Sequence, residues 1–133
     1  MPTIVALVKH VPDTWSTKTL EDDHTLDRTS VDNVIDEVNE YSVEQALRLR
    51  DDNPDAGFKV VALTMGPAQA DEALRKALAM GADDAVLVSD DSLAGADALS
   101  TAWTLNAALN KLDDVQLITA GTEASDASTG LLT

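Results

Sequence analysis

Apolar residues gather in four short runs along the chain, Thr3 to Val8, Phe58 to Met65, Ala85 to Val88 and Val115 to Ala120. Each is rich in β-branched residues and lacks a polar alternation, the pattern of a buried strand. The stretches between them follow a helical period. Ala70, Ala73, Leu74, Ala77 and Leu78 recur at i, i+3, i+4, i+7 and i+8 and so share one face. Gly66-Pro67 sets a proline at the opening of this helix, and Gly81 after Met80 offers a left-handed cap at its end. A second helix is predicted over Asn39 to Arg50, with Val43, Ala46 and Leu47 inward, stopped by Asn53-Pro54-Asp55 and Gly57. A third, from about Asp97 to Asn110, turns Ala98, Thr101, Ala102, Leu105 and Leu109 inward and carries Trp103 at its margin.

Strand and helix thus alternate. The alternation predicts right-handed crossovers and an open parallel sheet with helices on both faces, a Rossmann-like α/β fold in one domain over 1–133. The block from Pro12 to Ile35 breaks the rhythm. Lys18-Thr19-Leu20 and Thr25-Leu26-Asp27, separated by Glu21-Asp22-Asp23-His24, predict a small exposed hairpin added after the first strand. After Gly130, Leu131-Leu132-Thr133 begins as a helix would but supplies neither body nor stop signals, so the domain is expected to be truncated at its C-terminus.

Composition narrows the partners. Against 9 basic residues stand 24 acidic ones, and a net charge of -15 disfavours nucleic acid and an anionic bilayer. With no cysteine, the chain can form no disulfide, thiolate metal site or cysteine nucleophile. No basic leader and no apolar run of membrane-spanning length is present, so no membrane insertion and a cytoplasmic location are expected.

In an open parallel sheet, ligands bind beyond the carboxyl ends of the strands. Three segments fall there: Lys9 to Asp13, Met65-Gly66-Pro67, and the stretch Gly121-Thr122-Glu123-Ala124-Ser125-Asp126-Ala127-Ser128-Thr129-Gly130. The last combines two glycines and four hydroxyls before a predicted helix start, where free backbone N–H groups favour an anion. The same residue types also make ordinary loops and N-caps. Gly121 is expected to matter because a side chain there would crowd the backbone against a ligand. No Walker pattern occurs and the loop holds no lysine, which points to a bound rather than a hydrolysed nucleotide. Ile35-Asp36-Glu37-Val38-Asn39-Glu40-Tyr41 leads into the second helix; its acidic and amide groups could accept hydrogen bonds from a base or sugar, or Asp36 or Asn39 could cap the helix. His24 between carboxylates at a hairpin tip is a poor metal site, since adjacent residues rarely converge on one ion. There is no Gly-x-Ser-x-Gly elbow, Ser125-Asp126 lacks a histidine partner, and Asp51-Asp52, Asp83-Asp84 and Asp90-Asp91 read as surface charge. No catalytic residue is expected.

Three segments together resemble the β subunit of electron-transfer flavoproteins. Val8-Lys9-His10-Val11-Pro12-Asp13 is similar to the family's opening Val-Lys-x-Val-Pro-Asp. Asn39 to Leu49 looks like its Asp-Glu-x-Ala-x-Glu-Glu-Ala-x-Arg-Leu helix. Gly66-Pro67, followed by Leu74-Arg75-Lys76-Ala77-Leu78-Ala79-Met80-Gly81-Ala82-Asp83, matches its Gly-Pro and Leu/Ile-Arg-x-Ala-Leu-Ala-Met-Gly-Ala-Asp. The resemblance implies a heterodimer in which an α subunit holds most of the FAD and the β subunit buries a structural AMP. The flavin carries electrons from acyl-CoA and other dehydrogenases to an acceptor, as in fatty acid oxidation. The dehydrogenase-docking segment would lie beyond residue 133.

By position, the resemblance implies a nucleotide shell of Leu7, Asp36 to Asn39, Met65 and Gly121 to Gly130, with backbone N–H groups and the hydroxyls of Ser125, Ser128 and Thr129 on phosphate. Two departures stand out. Asp126-Ala127-Ser128-Thr129-Gly130 is shorter than the common Asp-Asp-x-x-Gln-Thr-Gly loop and resembles actinobacterial members, which leaves AMP or a second FAD open. Asp36-Glu37-Val38-Asn39 replaces the common Asn-Pro-Phe-Asp, so Val38 would keep only an apolar contact to the flavin. The alternative is a stand-alone adenine-nucleotide sensor similar to universal stress proteins, whose Gly-x-x-Gly-x(9)-Gly-Ser/Thr loop this chain lacks. An ATP-pyrophosphatase would want Ser-Gly-Gly-x-Asp-Ser where Lys9 to Asp13 stand.

Overall fold

The computed structural model describes residues 2–13, 15–126, 130 and 132. Strands β1 (Thr3–Leu7), β4 (Lys59–Met65), β5 (Asp84–Val88) and β6 (Val115–Thr119) form one parallel sheet in the order β5-β4-β1-β6. The predicted α/β fold is present, and the four apolar runs are its four strands. Helices α1 (Glu37–Asp52), α2 (Asp71–Met80) and α3 (Ala98–Leu109) fill the crossovers.

Alternation along the central strands splits the core between two faces. Ile4, Ala6, Val60 and Ala62 point to one face and pack with Val43, Ala46 and Leu47 of α1 and Ala73, Leu74 and Ala77 of α2. Val5 and Leu63 point to the other, where Leu105 of α3 covers them. The second face is the thinner of the two. A cleft of about 670 Å³ runs between α3 and β6, walled by Leu105, Leu109 and Ile118.

Several expectations are corrected here. Among the described residues the Val115 to Ala120 run is not buried: β6 stands at the edge of the sheet, with Leu117 and Ile118 42% and 44% exposed. Leu78 is likewise exposed, because it lies about 100° further round α2 than Ala77 and the sheet ends at β5. Asp83 is more than surface charge. Its Oδ2 accepts from the Val60 backbone N–H at 2.8 Å and from Arg50 Nη1 at 3.0 Å, which ties the end of α2 to β4 and α1.

The excursion is anchored at both ends by a pairing the periodicity does not reveal. His10–Pro12 (β2) and Asn33–Ile35 (β3) run antiparallel, with Val11 opposite Val34. The predicted hairpin between them is reduced to one bridge, Leu20 to Leu26, closed through a left-handed His24 at φ 69°. No helix among the described residues is long and apolar enough to cross a membrane.

Candidate functional site

Strand order reverses at β1. The chain lays β4 and β5 to one side and then returns to add β6 on the other, so the crevice beyond the carboxyl ends of β1 and β6 is the topological switch point. A cleft of about 290 Å³ opens there. Leu7, Val8 and Lys9 line it from the end of β1, Leu63 and Met65 from β4, and Ala120 to Ala124 from the loop after β6. Ala98, Thr101 and Leu105 close it from α3.

The N-terminus of α1 is fastened to both strand ends. Asp36 caps the helix, its Oδ1 accepting from the Val38 N–H at 3.4 Å, and its Oδ2 accepts from the Ser125 N–H at 2.7 Å. One turn on, Asn39 Oδ1 accepts from the Lys9 N–H at 2.8 Å. Thr119 Oγ1 donates to the Ser42 carbonyl at 3.0 Å, which joins the end of β6 to the same helix. Asp36 is buried, and both of its oxygens are occupied by protein donors. Of the two roles open to it, the cap is the one the geometry realises.

Gly121 is the point of closest approach. A Cβ built there would lie 2.7 Å from Val38 Cγ2 and 2.9 Å from Val38 Cβ, well inside ordinary contact. The N-terminal turn of α1 therefore requires glycine here, independently of the crowding against a ligand expected from the sequence. Val38 spends its side chain on this contact.

Three charges meet behind the loop. The Asp126 carboxylate is fully buried, with Lys9 Nζ 2.8 Å from its Oδ1 and Arg28 Nη2 2.7 Å from its Oδ2. Burial pushes this carboxyl up, but the hydrogen bonds and charges of Lys9 and Arg28 outweigh it and hold the group below its ordinary value. Lys9 and Arg28 are each partly exposed, and both line the cleft. No group of three or more histidine or carboxylate side chains is placed to hold a metal among the described residues.

Comparison with known proteins agrees with this architecture. The family model for the electron transfer flavoprotein domain matches residues 23–132. The chain belongs to that family.

The electron transfer flavoprotein subunit beta of Mycobacterium leprae is 47% identical over 135 residues, covering 99% of this chain and 51% of that protein. Its counterpart in Mycobacterium tuberculosis is 48% identical over 129 residues, 95% of this chain and 48% of that protein. The caffeyl-CoA reductase-Etf complex subunit CarD of Acetobacterium woodii is 41% identical over 126 residues, 95% of this chain and 47% of that protein. The chain thus spans about half the length of the curated relatives it matches.

Within this flavoprotein domain the residues singled out from sequence separate into groups. Leu7, Asn39, Met65, Gly121, Thr122, Glu123, Ala124 and Gly130 line the cleft together. Asp36, Val38 and Asp126 stand behind its wall as supports. Glu37 and Ser125 face a second cleft of about 470 Å³, beside Asp13, Trp15, Glu40 and Glu72. Ala127, Ser128 and Thr129 lie outside the described residues. Lys9 stands at a strand end with no role legible in the sequence, and neither Arg28 nor the part that the inward face of α3 takes in the cleft is legible there. Nothing local marks Arg28: it sits in the irregular part of the excursion and reaches the cleft only through the fold.

Proposed function

We infer that this chain is the nucleotide-binding part of an electron-transfer flavoprotein β subunit, holding AMP in the switch-point cleft while its α partner holds FAD. The observation that carries the reading is the position of that cleft, built from the loop after β6 and the end of β1, in a chain of this family. Its volume of about 290 Å³ is close to the lower end of the roughly 300–1,000 Å³ usual for ligand sites and gives room for a mononucleotide.

The chain's own residues bind and orient; the flavin, when bound, supplies the redox chemistry. Leu7, Met65 and Leu105 give the base apolar surface, and Gly121 to Ala124 with Gly130 give polar contacts from the loop. Electrons would pass through the FAD from acyl-CoA and other dehydrogenases to an acceptor, in the cytoplasm. Catalytic side chains of this chain's own have no part in that scheme. Membership of the flavoprotein family leaves the stand-alone sensor reading without support.

The test is coexpression of the complete reading frame with its α partner, followed by absorbance and nucleotide extraction of the purified complex. One FAD and one AMP per heterodimer is the expected content. A complex without flavin would overturn the reading, and two FAD without AMP would replace the mononucleotide by a second flavin.

A further inference from the structure

We propose that Lys9 and Arg28, held in place by the buried Asp126, form the phosphate-reading element of the cleft, so that the site selects a phosphorylated nucleoside over the bare nucleoside. The proposal rests on the nucleotide reading above and assigns its anion recognition to two side chains that come from outside the loop.

Three observations support it. First, only 9 residues of this chain are basic against 24 acidic ones, yet two of the 9 converge on one small cleft. No local structure requires such a pairing: Lys9 follows β1, whereas Arg28 belongs to the excursion between β2 and β3. Second, the two cations share a single carboxylate, so one positive charge at this point is not balanced by Asp126. Third, Arg28 Nη1 is buried and donates to no described residue. A buried donor without an acceptor is costly, and the guanidinium fork is shaped to hold two oxygens of an anion at once. Nη2 already holds Asp126 at 2.7 Å, and Nη1 is the donor of this cleft-lining side chain still without an acceptor.

Asp126 contacts no ligand in this scheme and acts as a positioning residue. Its carboxylate fixes both cationic side chains, which removes the rotamer entropy that two long flexible groups would otherwise lose on binding an anion. Glu123 also lines the cleft and can accept from a hydroxyl of the same ligand, away from the phosphate.

The experiment is calorimetric titration of the nucleotide-stripped full-length heterodimer with AMP and, separately, with adenosine. Arg28→Gln and Lys9→Gln are each expected to weaken AMP by roughly ten- to a hundredfold, the loss typical of one charge-assisted hydrogen bond, while adenosine changes less than about twofold. Arg28→Lys keeps a cation for Asp126 but loses the fork, and it should show an intermediate loss for AMP alone. Equal weakening of both ligands in all three variants would mean a merely structural role and overturn the proposal. So would AMP binding that no variant changes. Wild-type heterodimer that binds neither ligand would instead sink the nucleotide reading itself, and this assignment with it.

Discussion

Replacing Gly121 by alanine tests whether α1, and not a ligand, dictates the shape of the loop. The backbone at Gly121 is outside the left-handed region, so alanine meets no conformational penalty there. Its Cβ would nevertheless lie 2.7 Å from Val38 Cγ2, 2.9 Å from Val38 Cβ and 3.4 Å from Asn39 Nδ2. Carbon atoms rest about 3.5–4.0 Å apart, so the loop must retreat by roughly 1 Å. Val38 cannot yield by rotation alone, because its Cβ is fixed to the helix backbone. Overpacking of this kind costs about 1–3 kcal/mol. Chemical denaturation of the full-length chain at fixed nucleotide concentration should show that loss for Gly121→Ala. In a Val38→Gly background, where both offending atoms are gone, the same substitution should cost less than about 0.5 kcal/mol beyond the background's own effect. Nucleotide retention should follow stability, because the retreating loop carries the cleft wall with it. Equal costs in the two backgrounds, or no cost in either, would refute the steric account.

Two further expectations follow from the supports behind the cleft. Asp36→Ala removes the cap of α1 and the acceptor of the Ser125 N–H together. A loss of about 2 kcal/mol is expected, from about 1 for a cap and a similar amount for an orphaned donor, read by thermal denaturation; Asp36→Asn should recover most of it. Because the folded Asp126 carboxyl titrates below its ordinary value of 3.8, its stabilising contribution is complete above that value and is lost as pH falls through the lower folded one. Asp126→Asn should therefore flatten the acid limb of a stability-against-pH profile while lowering stability at neutral pH. An unchanged acid limb would mean that the Lys9 and Arg28 contacts contribute nothing in solution.

The four strands of the parallel sheet, the three helices and the parallel class were legible because burial repeats locally: a period of 2 or 3.6 is imposed on neighbouring residues by the element they build. Even the start of α1 can be read once Asp36 is recognised as a cap, which moves the helix from Asn39 back to Glu37. Edge effects were not legible. Val115 to Thr119 has the composition of an interior strand, and its exposure follows from its place in the sheet order.

The sequence alone thus determined the four strands of the parallel sheet and its three helices, that a loop rich in glycine and hydroxyls follows the fourth of those strands, and which family the motifs resemble. The tertiary structure decided what those residues do. Lys9 and Asp126 are 117 positions apart and Asp36 and Ser125 are 89, and their meeting depends on β6 returning to the side of β1 opposite β4. The contact that makes Gly121 a glycine is also between two elements, so neither side carries a mark of it. Local periodicity reports the face a residue presents; the partner on that face is set by strand order.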